Sequence, residues 1–254
     1  MKIELLPSTV GDSAARQFCI GAVINDIIAI DAGTLGLVWP LERQKRIQHV
    51  VLSHTHIDHI ATLPLFLDNV YEIGEQCPSV FGSDETCRVL RDHIFNDQVW
   101  PDFLRLSSEE TPFLTLRTLE EETPFTLGEL TLLPVALHHI VPTLGFLVSD
   151  DEGTVGFVSD TAPTERIWTL LSNVERLKAV FLKCSFPASQ SMLAEKSGHL
   201  CSTSFKAELE KFDQSVPVVA CHLKPGFFDE IKEELRNIDR PNIEVGIPGQ
   251  TYTF

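Results

Sequence analysis

The chain has 254 residues, of which 43% are hydrophobic and 22% charged, as is typical of a globular protein that buries its core without disulfides. Twenty lysines and arginines face 36 aspartates and glutamates, giving a formal net charge of −16. This acidic balance argues against a broad grip on nucleic acid or on anionic lipid, because both require basic faces. It does not exclude a small phosphate ester held by metal ions, because a bound cation dominates its local field.

The chain carries no sign of a membrane span or of a disulfide framework. No run approaches about 18 apolar residues, and the opening MKIELLPSTVG lacks the apolar stretch of a leader peptide. The six cysteines are scattered and form no C-x-x-C pair. We therefore expect a reduced, cytoplasmic protein in which residues 1–254 form one domain.

Apolar patterning predicts alternating strands and helices. Short apolar runs bounded by Gly, Asp or Pro predict strands over Ile27–Ile30, Val50–Leu52, Leu130–Leu133, Leu144–Val148, Val155–Val158, Val180–Leu182 and Val218–Ala220. Helical spacing predicts helices over Ala61–Val70, Asp84–Phe95, Pro163–Leu171, Thr203–Phe212 and Phe228–Leu235. Ser83-Asp84 and Ser202-Thr203 predict N-caps, and residues 102–124 predict surface loops. The pattern favours a layered α/β fold with sheets buried between helices.

The segment with the clearest chemistry is His54-Thr-His56-Ile-Asp58-His59, directly after an apolar strand. Extended or tightly turned backbone presents His54 and His56 to one side, while Asp58 and His59 face a second point at the start of a helix. Imidazole and carboxylate suit Zn²⁺, Fe²⁺ or Mn²⁺. Four candidate ligands in six residues favour two ions about 3.5–4 Å apart. A solvated histidine-rich turn is the alternative interpretation.

Further candidate ligands stand at the ends of other apolar runs. Asp31 is expected to accept a hydrogen bond from a ligand imidazole, although a strand-end turn would also explain it. His138 and His139 follow one strand, and Asp160 follows another, where its two oxygens could bridge two ions. His222 follows a third strand. Each residue alone is more often a turn residue, but together with the histidine-rich segment they indicate a metal site.

This arrangement resembles the metallo-β-lactamase superfamily over nearly the whole chain. The resemblance implies an αββα four-layer sandwich with the site at the rim between the sheets. It implies one ion held by His54, His56 and His139, another held by Asp58, His59 and His222, and Asp160 as the bridge. His139 is preferred to His138 because the segment from His139 to Phe146 resembles the His-x-x-Pro-x-x-Gly-aromatic segment of phosphodiesterase branches such as tRNase Z.

Three segments resemble the class II 3′,5′-cyclic-nucleotide phosphodiesterases within that superfamily. They are residues 58–69 (DHIATLPLFLDN), Cys184–Pro187 followed by Gly198-His199-Leu200, and His222–Pro225. The resemblance implies hydrolysis of cyclic AMP or cyclic GMP to a 5′-monophosphate. Two departures stand out: Thr62 occupies a position that usually holds Gly, and Lys183 one that often holds an acid. The first predicts altered packing at the helix start, and the second weaker support for His199.

The expected mechanism uses two divalent ions, with zinc as first candidate and Mn, Fe or Mg as the others. A hydroxide bridging the ions would attack phosphorus, because coordination lowers the pKa of water. Asp58 would bind metal and orient the hydroxide, and His199 would donate a proton to the leaving oxygen or a hydrogen bond to phosphate. A local helix-capping role is the alternative for His199. Lys224 would pair with phosphate, or else is a solvated loop lysine.

The expected partner is a small phosphodiester, with neither membrane nor nucleic acid, and a homodimer is left open. An RNA 3′-processing endonuclease like tRNase Z would share the site, but the charge of −16 counts against it. A lactonase or thioesterase would use the same metal and hydroxide on carbon. A metal-binding regulatory protein without turnover is the non-enzymatic alternative.

Overall fold

The computed structural model describes residues 1–8, 16–72, 77–108, 110–213 and 215–254. Their strands form two seven-stranded sheets. The first sheet contains β1 (Lys2–Leu5), β2 (Ala22–Ile24), β3 (Ile28–Ile30), β4 (His49–Val51), β5 (Ser79–Gly82), β6 (Thr115–Thr118) and β14 (Thr251–Thr253), in the spatial order 14-1-2-3-4-5-6. The second contains β7 (Phe125–Leu127), β8 (Leu130–Leu137), β9 (Thr143–Asp150), β10 (Gly153–Val158), β11 (Leu177–Lys183), β12 (Val218–Cys221) and β13 (Ile243–Val245), in the order 13-12-11-10-9-8-7.

Both sheets are mixed in the same way. Pairing is antiparallel from β14 to β3 and from β7 to β10, and it is parallel from β3 to β6 and from β10 to β13. The helices are α1 (Leu41–Lys45), α2 (Ile57–Ile60), α3 (Leu63–Val70), α4 (Asp84–Val89), α5 (Phe103–Leu106), α6 (Arg166–Ser172), α7 (Ser191–Lys196), α8 (Ser202–Leu209) and α9 (Phe228–Arg236). No helix in the described ranges has the length and apolar character to cross a membrane.

Side-chain alternation along the strands creates three apolar layers. In β3, Ile28 and Ile30 pack between the sheets, while Ala29 faces the helices of the first half. In β11, Phe181 packs between the sheets and Leu182 faces the helices of the second half. Strands that are apolar on both faces need cover on both sides. The result is the predicted αββα sandwich, which is confirmed.

The predicted strands and helices are present, with two local corrections. Residues 102–124 are not only loop, because they contain α5 and the edge strand β6. Within that range, Glu109 lies outside the described residues. So do residues 9–11 of the opening segment MKIELLPSTVG. Ser83 caps α4, accepting a hydrogen bond from the Thr86 amide at 3.1 Å. The cap of α8 is Cys201 rather than Ser202, whose hydroxyl instead donates to Glu234.

Candidate metal centre

The candidate residues meet because their strands end at one rim of the sandwich. Asp31 follows β3 and the histidine-rich segment follows β4, its parallel neighbour. Asp160 and His222 follow β10 and β12, which run parallel to β11 between them. β8 runs the same way as β10 because both are antiparallel to β9, so its carboxyl end brings His139 to the same rim. Each sheet therefore contributes part of the centre.

The first donor group combines His54, His56, His139 and Asp160. Nδ1 of His56 lies 3.1 Å from Nε2 of His54 and 3.2 Å from Nε2 of His139. Asp160 Oδ2 lies 3.7 Å from Nε2 of His54. Donors about 2.1 Å from a tetrahedral ion are roughly 3.4 Å apart, so these spacings fit one ion. His138 is outside the group: its side chain is exposed, and only its backbone is tied to Thr161.

The orientation of His139 is set by the backbone of Gly198. Nδ1 of His139 donates a hydrogen bond to the Gly198 carbonyl at 2.7 Å, which leaves Nε2 as the free donor atom. Gly198 has a φ of +68°, and a Cβ there would lie 2.8 Å from His139 Nδ1. A side chain at this position would therefore both strain the backbone and displace the imidazole.

The second donor group combines Asp58, His59 and His222. Nε2 of His222 lies 3.5 Å from Asp58 Oδ2 and 3.5 Å from Asp160 Oδ2. Nε2 of His59 lies 3.4 Å from the same Asp160 oxygen. Both ring nitrogens of His222 are buried without a hydrogen-bond partner among the described residues, which is costly for a purely structural histidine. These spacings and the unpartnered nitrogens fit a second tetrahedral ion.

Asp31 contacts His59 and fixes the orientation of its imidazole. Its Oδ2 accepts a hydrogen bond from His59 Nδ1 at 2.7 Å, leaving Nε2 to face the centre. Its Oδ1 accepts from the Ser53 amide at 2.8 Å. The Ser53 hydroxyl lies within 3.0 Å of Asp31 and of His54 Nδ1, so it links the two donor groups. Ser53 was not among the residues expected from the sequence, although it stands directly before the histidine-rich segment.

Two residues of the centre adopt left-handed backbone. Asp31 has a φ of 62° and His222 a φ of 59°, a conformation that is unfavourable for non-glycine residues. At His222 the strained amide is not left unpaired, because it donates to Gln17 Oε1 at 2.7 Å. The partners are 205 positions apart, so no local sequence pattern indicates this contact.

Asp160 corrects one expectation of the sequence analysis. Its two oxygens do not face the two donor groups separately, because Oδ1 is ion-paired with Nζ of Lys183 at 2.9 Å. Oδ2 alone faces His54, His59 and His222. Any bridge between the groups would therefore be made by one oxygen rather than by two.

Burial and neighbouring charges keep most of the imidazoles neutral and the carboxylates charged. Burial lowers the pKa of His222 to about 4 and the pKa of His54 well below its usual value. Burial alone would raise the pKa of Asp160, but Lys183, His222 and His59 hold it well below the usual range. His59 differs: burial and Lys183 act to lower its pKa, but Asp31 and Asp160 outweigh them and raise it. Deprotonated donors are the forms that bind metal.

His199 and Lys224 lie beside the two groups, and His199 also forms a third set of possible donors with Asp160 and His222. Nδ1 of His199 lies 3.3 Å from the Ser185 hydroxyl and 3.7 Å from Asp160 Oδ2, and the side chain is buried. The residue that contacts His199 is therefore Ser185. Lys183, at the position that often holds an acid, pairs with Asp160 and not with His199. Nζ of Lys224 lies 3.6 Å from Asp58 Oδ2, with a third of its side chain exposed.

A cavity of about 710 Å³ opens beside His139 and His199. Its walls are largely small or apolar and include Ile140, Pro163 and Ala207, with Ser204 as a polar member. Concave sites of this size accept small molecules. The other sequence departure, Thr62, lies outside the cavity: its hydroxyl accepts from the Gly36 amide at 2.8 Å and donates to the Ala32 carbonyl at 3.0 Å. Thr62 thereby fastens the loop that follows Asp31.

The fold and donor groups define an αββα domain able to bind metal ions at the rim between its sheets. Residues 27–215 match the family described as "Beta-lactamase superfamily domain", and the chain belongs to this family. It is similar to a probable 3′,5′-cyclic-nucleotide phosphodiesterase of Yersinia pestis, with 24% identity over 233 residues, and to 3′,5′-cyclic-nucleotide phosphodiesterase 1 of Saccharomyces cerevisiae, with 25% identity over 245 residues.

The alignments cover 81% and 79% of this chain but only 64% and 65% of those two relatives, so the chain spans less than two thirds of their length. The crystal structure of unliganded yeast PDE1 superposes with a TM-score of 0.79 and 20% identity, covering 98% of both chains. At this identity the superposition shows a shared fold.

Proposed function

We propose that the protein is a metal-dependent hydrolase of phosphodiesters that converts 3′,5′-cyclic nucleotides to 5′-monophosphates. The observation that carries the proposal is the pair of donor groups sharing Asp160 Oδ2 beside a cavity of nucleotide size. The names of the two similar relatives support the same reaction. The donors are imidazoles and carboxylates, which makes zinc the first candidate for both ions.

One ion would be held by His54, His56 and His139, the other by Asp58, His59 and His222, and Asp160 would be shared. Divalent ions held there would supply acidification of water and neutralisation of phosphoryl charge. Burial alone would raise the pKa of Asp58, but His59, His222 and Lys224 lower it. Asp58 is therefore a carboxylate at neutral pH and can accept a hydrogen bond from the attacking water.

His199 and Lys224 act on the substrate. When Nδ1 of His199 accepts from the Ser185 hydroxyl, Nε2 carries the ring proton and is the atom left to donate a hydrogen bond to a phosphoryl oxygen or to the leaving 3′ oxygen. Lys224, partly exposed beside Asp58, supplies a positive charge for the phosphate. The cavity beside His199 accommodates a nucleoside, whereas an RNA substrate would need a basic surface that a chain of net charge −16 does not favour.

The test is an activity screen of the purified chain with cyclic AMP, cyclic GMP, precursor tRNA, bis(p-nitrophenyl) phosphate and a simple lactone, with metal analysis of the same sample. We expect hydrolysis of at least one cyclic nucleotide. Chelation and Asp58→Ala should abolish it. Asp68→Ala is the matched control, because Asp68 is exposed on α3 and outside both donor groups.

Three outcomes would contradict the proposal. Cleavage of precursor tRNA with nanomolar, steeply salt-dependent binding would favour the RNA endonuclease. Turnover of the lactone alone would favour attack on carbon. Metal-loaded protein that leaves every phosphodiester intact, while His56→Ala lowers its stability, would favour a regulatory metal-binding protein.

A further inference from the structure

Lys183 brings a buried positive charge into the candidate metal centre. It is the last residue of β11, the parallel strand between β10 and β12, and its side chain is only 10% exposed. Nζ lies 2.9 Å from Asp160 Oδ1 and 3.3 Å from Nε2 of His59. The ammonium group therefore contacts two of the residues assigned above to metal binding.

These contacts are unequal between the two donor groups. His59 belongs only to the second group, and its Nε2 is the atom left for an ion because Nδ1 donates to Asp31. An N–H of Lys183 directed at that nitrogen competes with an ion for the same lone pair. Within the described residues, Lys183 has no comparable contact with His54, His56 or His139.

The positive charge of Lys183, like its contact with His59, weakens cation binding. A positive group beside a cation position raises the free energy of the bound ion, and burial limits the screening of that repulsion by water. At Asp160, the ion pair also removes part of the negative charge that an ion would otherwise attract. The ion pair with Asp160 weakens cation binding at both positions, whereas the contact with His59 acts only on the position where His59 is a ligand.

We propose that Lys183 makes the two metal positions unequal: the His54, His56 and His139 position fills first, and Lys183 lowers the affinity of the Asp58, His59 and His222 position. The inference rests on the two-ion site of the proposed function. Lys183 is a positioning residue, since it acts through Asp160 and His59.

The experiment is a zinc titration of the full chain after chelator treatment and dialysis. Binding is measured by calorimetry, and the bound zinc is determined by metal analysis. Wild type, Lys183→Met and Lys183→Gln are compared with Lys178→Met, a control at the opposite end of β11. We expect wild type to bind a tight and a weaker equivalent. Both Lys183 variants should tighten the second equivalent and change the first much less; the expected gain is about 10- to 100-fold, the size of change that substitutions beside metal ligands produce. The control should match wild type.

Lys183→Gln replaces the ammonium group with an uncharged amide whose N–H can still donate to Asp160. This variant serves if the Met variant fails to fold. Unchanged or weaker binding of the second equivalent in a folded variant would overturn the proposal. Equal affinities for both equivalents in wild type would overturn it without any variant. Binding of fewer than two equivalents by every protein would remove the two-ion site itself, whereas unaltered two-ion binding with intact turnover would remove only the role of Lys183.

Discussion

Replacing Asp31 with asparagine reverses one hydrogen bond without changing the shape of the side chain. In the native protein, Asp31 accepts from the Ser53 amide at 2.8 Å and from Nδ1 of His59 at 2.7 Å. In Asp31→Asn the amide oxygen must remain opposite the Ser53 N–H, so the new NH₂ group faces His59. His59 Nδ1 would then accept, and the imidazole proton would move to Nε2. That nitrogen faces Asp160 and the second metal position.

The size of the effect follows from this forced tautomer. Residues that orient metal ligands typically change metal affinity by about 10- to 100-fold, or ~1.4–2.7 kcal/mol. The loss should concentrate on the second equivalent of zinc, because His59 belongs only to that donor group. Without metal, the same tautomer also removes the acceptor that His59 Nε2 offers to Nζ of Lys183 at 3.3 Å, so the variant should unfold at a lower temperature than wild type.

The assay is a zinc titration against a competing chelator, with thermal unfolding measured in parallel. Asp68→Asn, an exposed substitution on α3, is the matched control and should behave as wild type. A folded Asp31→Asn protein with native affinity for both equivalents would refute the reasoning, because His59 would then bind metal without the orientation that Asp31 provides.

Two further predictions concern the histidines. His199→Ala should lower kcat on the cyclic nucleotide by about 10²- to 10⁴-fold with unchanged metal content; a loss of metal instead would show that His199 is a ligand. In chelator, the free energy of unfolding should be highest above about pH 6.5 and should fall toward pH 4. Burial lowers the pKa of His222 to about 4 and the pKa of His199 to about 3. Between these values and about 6.5, the unfolded chain therefore binds protons that the folded chain does not. His222 alone corresponds to a loss on the order of 2 kcal/mol at pH 5, and a melting temperature that is constant from pH 7 to 5 would contradict this.

The donor groups could be predicted because polar residues at the ends of apolar strands are conspicuous. Asp160 and His222 each follow a continuous run of buried residues, and parallel strands carry such residues to one rim. Several strands gave no such signal. β14 has three residues, of which only Tyr252 is buried, and it forms because β1 offers a free edge.

Contacts made by long side chains across the fold could not be predicted. The spacing of the sequence places Lys183 at a strand end, but its partner depends on the register of β11 against β10 and β12. Likewise, Gln17 reaches the His222 amide only because the two halves are packed together. Such contacts belong to tertiary structure, and sequence periodicity does not encode them.

The left-handed backbone at Asp31 and His222 sets a limit on how this protein could be made more robust. Each such residue costs ~1–3 kcal/mol, and glycine would remove most of that cost. Yet glycine would delete the carboxylate that orients His59, or one of the imidazoles at the rim. Engineering for heat tolerance should therefore begin elsewhere in the chain, since any substitution that relieves the backbone strain at these two positions also removes a side chain of the metal centre.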